Sequence, residues 1–302
     1  MVSRKSILSN VVPSIAGGAV VVIILAMVLV FGIIFYNGWG HFSWKFLTAN
    51  PEEGMMQGGI FPAIMGTFYR VILMSIIGVP IGTITALFLC EYVAPDSFFR
   101  RTIRFAVNTL AGIPSIVFGL FGLGFFIQFI GPGMDKMFEP EGVSRWSQPN
   151  ILWASLTMAV LTLPVVIVSV EEAIRNVPND LREASLALGA TKWETVWKIV
   201  LPNSMTGILT GAVLAVSRGA GEVAPILFTG AAYFLPNLPG SFTDQFMDMG
   251  YHIYIMSTQS PDVDATLPIQ YATTLALLCL TFGLNLAAIF LRFRLRRKAA
   301  AH

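Results

Sequence analysis

Apolar residues recur in six long runs, at positions 11–36, 60–89, 103–130, 152–170, 206–229 and 267–291. Each run is about 19–30 residues, the length a helix needs to cross a hydrocarbon core, with some tilt. Helices are the expected spanning structure, because backbone donors and acceptors in lipid must bond within the segment. No run shows the alternation of a membrane barrel. The pattern predicts an all-α membrane protein with about six transmembrane helices. The segments between runs differ in character. Those at 37–59, 131–150 and 231–266 are rich in Gly, Pro, Asp or aromatic residues, and a short interfacial helix is expected within 242–256. The segment 171–203 is charged and far longer than the ~2–8 residues that join neighbouring helices.

Composition supports the membrane reading. Apolar residues make up 55% and charged residues 12% of the 302 positions, against about 25% charged in soluble domains. The net charge of +2 gives no case for nucleic acid. The placement of charge is more informative. Of 19 Lys and Arg, only Lys45, Lys136 and Arg145 lie in the loops after the first, third and fifth runs; Arg70 and Arg218 fall inside runs. All the others precede the first run, follow the last, or lie near 100–104 and in 171–203. The positive-inside rule puts that basic side, and both termini, in the cytoplasm. The first run is too long for a signal peptide and reads as a retained span. Cys90 and Cys279 make no metal pair or disulfide framework. His41, His252 and His302 are scattered, so no metal and no cofactor is expected on this chain. The organisation read from these features is a tail at 1–10, a first span with its loop at 11–59, a core at 60–291 and a basic tail at 292–302.

Four runs contain a proline well inside them, at Pro80, Pro114, Pro164 and Pro225. Each removes a backbone donor, producing either a kink or a break that lines a path. The loop 171–203 carries its own helix signals. Pro178-Asn179-Asp180 can start a short helix over 181–188, stopped by Gly189. Thr191 can cap a second helix over 192–200, supported by Glu194 at its third position. The prediction is a helix–turn–helix projecting from the basic side.

Within that loop stand Glu183-Ala184-Ser185, then Gly189, Ile199, Leu201 and Pro202. This spacing resembles the EAA loop of ABC importer permeases, with Ser185 in place of alanine. The resemblance implies a type I (MetI-like) importer fold in which the first short helix couples to a separate ATPase. Ala184, Ser185 and Ala187 would allow close approach, Leu186 and Leu188 would fill a groove, and Arg182 and Glu183 would pair with charges at its rim. The chain has no GxxxxGK[ST], so ATP and Mg are expected on the partner.

The fifth run holds Ser217, Arg218, Gly221, Glu222, Ala224, Pro225, Leu227, Thr229, Gly230, Ala231 and Ala232. Arg218 and Glu222 are four apart and would share a helix face. Ionisable residues in a span usually face a bundle interior or a wet cavity. The two are either a structural pair or part of an anion pathway. The stretch resembles PstA-type permeases of phosphate-specific ABC transporters, with Val223 where threonine is commoner. Gly58–Ile60 with Pro62, and Ala111–Val117 with Gly119–Gly122, resemble the same family. The resemblance implies import of inorganic phosphate through a heterodimer with a PstC-type permease. It also implies two copies of a PstB-type ATPase and a PstS-type binding protein outside. Arg70 is read as snorkelling outward or adding charge to the path, and Ser115 as packing or meeting phosphate oxygens. Glu171 and Glu172 are read as solvated or paired with Arg175. Other classes remain: a permease for another small solute or oxyanion, a transporter or channel acting alone, or a membrane enzyme. The EAA spacing argues against the second of these, and the lack of any catalytic cluster against the last.

Overall fold

The structure is a computed structural model describing residues 4–52, 57–140 and 142–299; the extreme residues of both tails lie outside this range. Six helical runs are long and apolar enough to cross a membrane: Pro13–His41, Phe61–Tyr92, Ser115–Phe138, Ile151–Arg175, Lys192–Gly221 and Val263–Arg294.

Helix α1 (Arg4–Gly38) carries the first span and buries none of its apolar window in the isolated chain. A one-turn helix, α2 (Trp44–Thr48), and a two-residue antiparallel pair, β1 (Pro51–Glu52) with β2 (Gln57–Gly58), lead into α3 (Phe61–Leu87). A π-helical turn, Phe88–Tyr92, extends α3. The central helix is α7 (Ile151–Arg175), which buries residues along its whole length. It packs against α3 on one side and α10 (Leu201–Gly221) on another; α12 (Val263–Ala299) lies outside α10. At one end of the bundle the core is Val71, Met74, Met158, Ile226 and Phe246. Towards the other end it is Ala86, Val166, Val170, Val200 and Ile208.

The third span departs from the expected 103–130. Residues 98–111 form a separate amphipathic helix, α4 (Phe98–Ala111), buried only at Arg100 and Val107. Pro114 has no N–H and disfavours helical backbone at the residue before it, so the chain turns at 112–114. The span itself starts with α5 (Ser115–Phe121), continues through a π-helical stretch, Gly122–Ile130, and ends in α6 (Gly131–Phe138). Phe126 stacks on Trp153 of α7 at 5.6 Å between ring centroids. Of the four prolines, Pro80 and Pro164 sit inside helices, whereas Pro114 and Pro225 lie at breaks.

The helix expected within 242–256 is α11 (Met249–Thr258), capped by Asp248. One of its faces is packed into the bundle. Met249, His252, Ile255 and Met256 are buried, and α11 lies against α12 and α3.

Candidate functional site

The charged loop folds as a hairpin. Its first arm is α8 (Asn179–Ala187), and Gly189 follows with φ +85°, a left-handed conformation that costs glycine nothing. The Ala190 N–H donates to the Ser185 carbonyl and the Gly189 N–H to the Leu186 carbonyl, which closes the helix with a Schellman turn. Thr191 and Glu194 cap α9 (Lys192–Thr195) reciprocally, as expected. The second arm does not stop before the span. It passes through a π-helical turn, Val196–Val200, straight into α10. Pro202 supplies no N–H to the turn before it, and the Asn203 side-chain amide donates to the nearby Ile199 carbonyl at 2.6 Å. The Ser185 and Thr195 hydroxyls bond each other at 2.9 Å, so the residue that departs from alanine ties the two arms together.

α8 has no buried residue, and Leu188 is 89% exposed. Leu186, Trp193 and Trp197 are also exposed, the two indoles stacked at 5.8 Å. An apolar face with no cover in this chain suits a partner groove. Arg182 is not at the rim. It turns back, pairing with Glu91 at 2.9 Å and donating to the carbonyls of Ile174 and Val177. The hairpin is thereby bolted to the ends of α3 and α7. Glu171 is likewise buried rather than solvated, held by Arg104 and, at 3.8 Å, by Arg175.

At the opposite end of α10 the helix ends at Gly221, and Glu222 has extended backbone (φ −81°, ψ 129°). Pro225 then opens a 3-10 turn, Ala224–Leu227. Arg218 and Glu222 therefore do not share one helix face; they flank a break. Among the described residues their one polar interaction is an ion pair of 3.9 Å, with side chains 35% and 26% exposed. α5 packs on the turn that follows. A Cβ on Gly122 would lie 2.2 Å from Thr157 Oγ1 and 2.6 Å from Thr229 Cγ2, so only glycine admits this approach. Ser115 opens α5 and is half-buried. The motifs of the third and fifth spans thus meet around one break in the backbone.

Arg70 does not snorkel outward. It is fully buried, with Nη2 2.8 Å and Nε 2.9 Å from Asp248 Oδ2. Its Nη1 donates to the Gly219 carbonyl at 2.8 Å, beside Arg218. Thr67 also donates to Asp248 Oδ2, and Asp248 Oδ1 accepts from the Gly250 N–H. One buried ion pair joins α3, the end of α10 and the cap of α11. Sequence reasoning missed Asp248 and Glu91 as partners. Asp248 had a local cue, as a capping residue before an apolar helix.

A family model described as a binding-protein-dependent transport system inner membrane component matches residues 78–300. The chain belongs to this family. As a binding-protein-dependent permease it is an ABC importer membrane subunit, which transports without performing covalent catalysis. It is 32% identical to the probable ABC transporter permease protein YqgI of Bacillus subtilis, across 92% of this chain and 94% of that one. It is 31% identical to the phosphate transport system permease protein PstA 1 of Mycobacterium tuberculosis, across 98% and 92%. A chain of a bacterial alginate ABC transporter, solved with an alginate pentasaccharide-bound periplasmic protein, shares the fold. Its TM-score is 0.64 at 15% identity, covering 99% of this permease and 98% of that chain. The MetI-like architecture and the six spans agree with the family expectation.

Proposed function

We propose that this permease carries inorganic phosphate, forming half of a heterodimeric pathway with a PstC-type subunit. The hairpin 171–203 lies in the cytoplasm with both termini and seats its exposed leucines on a PstB-type ATPase present in two copies. ATP and Mg stay on that ATPase. A PstS-type binding protein delivers the ion at the other face. In this reading Glu183, Ala184 and Ser185 form the contacting helix, Gly189 its turn, and Ile199, Leu201 and Pro202 the rigid run into α10.

The observation that carries the reading is the contrast between the two arginines inside spans. Arg70 has no exposure; its Nε and Nη1 are hydrogen-bonded to Asp248 and the Gly219 carbonyl, and its Nη2 lies against the same carboxylate. Arg218 is partly exposed, held by a long ion pair at a break in its helix. A guanidinium at span depth needs protein, water or an anion around it, and its planar fork matches phosphate oxygens. We assign Arg218 to the ion, Glu222 to tuning it, Ser115 to the wall beside it, and Arg70 to positioning. The likeness to phosphate permeases supports the choice of anion.

The test is phosphate uptake by the assembled complex in vesicles. Removing one partner of a desolvated charge contact costs about 2–5 kcal/mol, so Arg218→Gln should lower uptake about thirtyfold or more with assembly intact. Normal uptake at matched abundance would refute a required role for Arg218. Another oxyanion is the second reading, because the guanidinium fork also fits other tetrahedral oxyanions. Stimulation of ATPase activity by that anion and not by phosphate would favour it.

A further inference from the structure

At the basic end of the bundle, where the π-helical end of the second span, α4, α7 and α8 converge, lies a cavity of about 370 Å³. Its polar lining includes Glu91, Arg100, Arg175, Asn179 and Arg182, with Ile174 as an apolar wall. Three arginines and one carboxylate line it, so the lining carries a net positive charge.

The three arginines are not equivalent. Arg182 is consumed by Glu91 and by backbone carbonyls, so it contributes a fixed charge and few free donors. Arg175 is about half exposed, and its carboxylate partner, Glu171, is 3.8 Å away. Arg100 is 8% exposed, and no hydrogen bond or ion pair joins it to another described residue. Its guanidinium nitrogens open on the cavity rather than being sealed from solvent, so an anion entering there meets a cation with free donors. Asn179 accepts from Arg182 through Oδ1, which leaves its amide N–H groups free to donate. A convergent set of guanidinium and amide donors is the chemistry that binds phosphate oxygens.

From this arrangement we infer a binding site for a phosphate-bearing anion at the root of the hairpin. It is distinct from the Arg218 break. That residue lies at the far end of α10, about 25 Å along the helix from Leu201. The site stands whichever solute the permease carries. Its walls come from α4, α7 and the first turn of α8, so an occupant would cross-link the elements on which the hairpin is hinged. Occupancy would then stiffen the hairpin against the bundle. The phosphate can belong to the free inorganic ion or to the headgroup of an anionic phospholipid in the adjacent leaflet.

The test uses the full chain, purified in a zwitterionic detergent in an Arg218→Gln background so that the break contributes nothing. In one arm inorganic phosphate is titrated while the thermal unfolding midpoint is followed. In the other, native mass spectrometry measures retention of phosphatidylglycerol against phosphatidylcholine. A saturable rise in midpoint assigns the free ion; selective retention of phosphatidylglycerol assigns the headgroup. In whichever arm responds, Arg100→Gln should weaken binding at least tenfold. Arg101→Gln, an exposed neighbour on the same helix, should not. Arg175→Gln, a half-exposed site, serves if Arg100→Gln does not fold. The inference is overturned if neither probe binds, or if binding is the same in both cavity variants as in the parent.

Discussion

Replacing Asp248 with asparagine keeps the shape of the side chain and removes the charge that holds Arg70. Both side chains are 0% exposed, and the two guanidinium nitrogens facing Asp248 sit 2.8 and 2.9 Å from one carboxylate oxygen. Breaking such a pair from one side costs about 3–5 kcal/mol, because the remaining charge stays buried without its counter-ion. Asp248 also caps α11, and asparagine caps nearly as well, so the cost falls on the ion pair. The segment most exposed to the loss is 231–258, which this pair fastens to α3. An energy of that size raises the population of its opened form by about a hundred- to a few thousandfold. Hydrogen exchange of the α11 amides in the purified protein reads this directly. Arg70→Met combined with Asp248→Asn removes the stranded cation, and we expect the double variant to be more stable than Asp248→Asn alone. Exchange in Asp248→Asn as slow as in the parent, or a double variant worse than the sum of its parts, would refute the reasoning.

Arg182→Gln should unfasten α8 from Glu91 and from the ends of α3 and α7, so that uptake falls more than ATPase attachment; equal losses of both would contradict the role given to Arg182. Gly189→Val forces a β-branched residue to φ +85°, costing about 1–3 kcal/mol locally, and should weaken ATPase co-purification without lowering membrane abundance. His252 is buried with neither ring nitrogen bonded to a described residue, and burial pushes its pKa down to about 4 from 6.5. Between those values the unfolded chain binds the extra proton, so stability rises with pH across that window and is lost as pH falls through it, by about 3 kcal/mol in all. Melting followed from pH 7 to 4 should show that slope, and His252→Leu should flatten it.

Local features were legible in the sequence and distant pairings were not. The Thr191 cap and the Gly189 stop each depend on residues a few positions apart, and each is found in place; the apolar runs are matched in number, though not all in position. The third span was misplaced because α4 and α5 are both rich in apolar residues. Only Gly112 and Pro114 mark the boundary, and a proline is equally compatible with a kink. The same ambiguity hid the end of α10 at Gly221. Arg70 was misread for another reason. Its carboxylate is 178 residues away in a loop, and nothing near Arg70 in the chain announces it. Arg182 was misread likewise, since Glu91 lies 91 residues upstream.

The first helix packs against α12, closely at Gly38 and Tyr271, but its middle makes little use of neighbours. From Val20 to Val30 every large apolar side chain is more than half exposed in the isolated chain, whereas α7 is lined with buried ones. A side chain that meets fluid hydrocarbon can be exchanged for another of different outline, since lipid tails adjust where a packed core cannot. Mutational scanning should therefore find α1 governed by a single scalar, its total affinity for the bilayer. Leucine, valine, isoleucine and phenylalanine should trade freely there, while a charge is rejected. In α7 the same exchanges should be sorted by volume and branching at each site. Two helices of similar apolarity would then carry very different amounts of positional information.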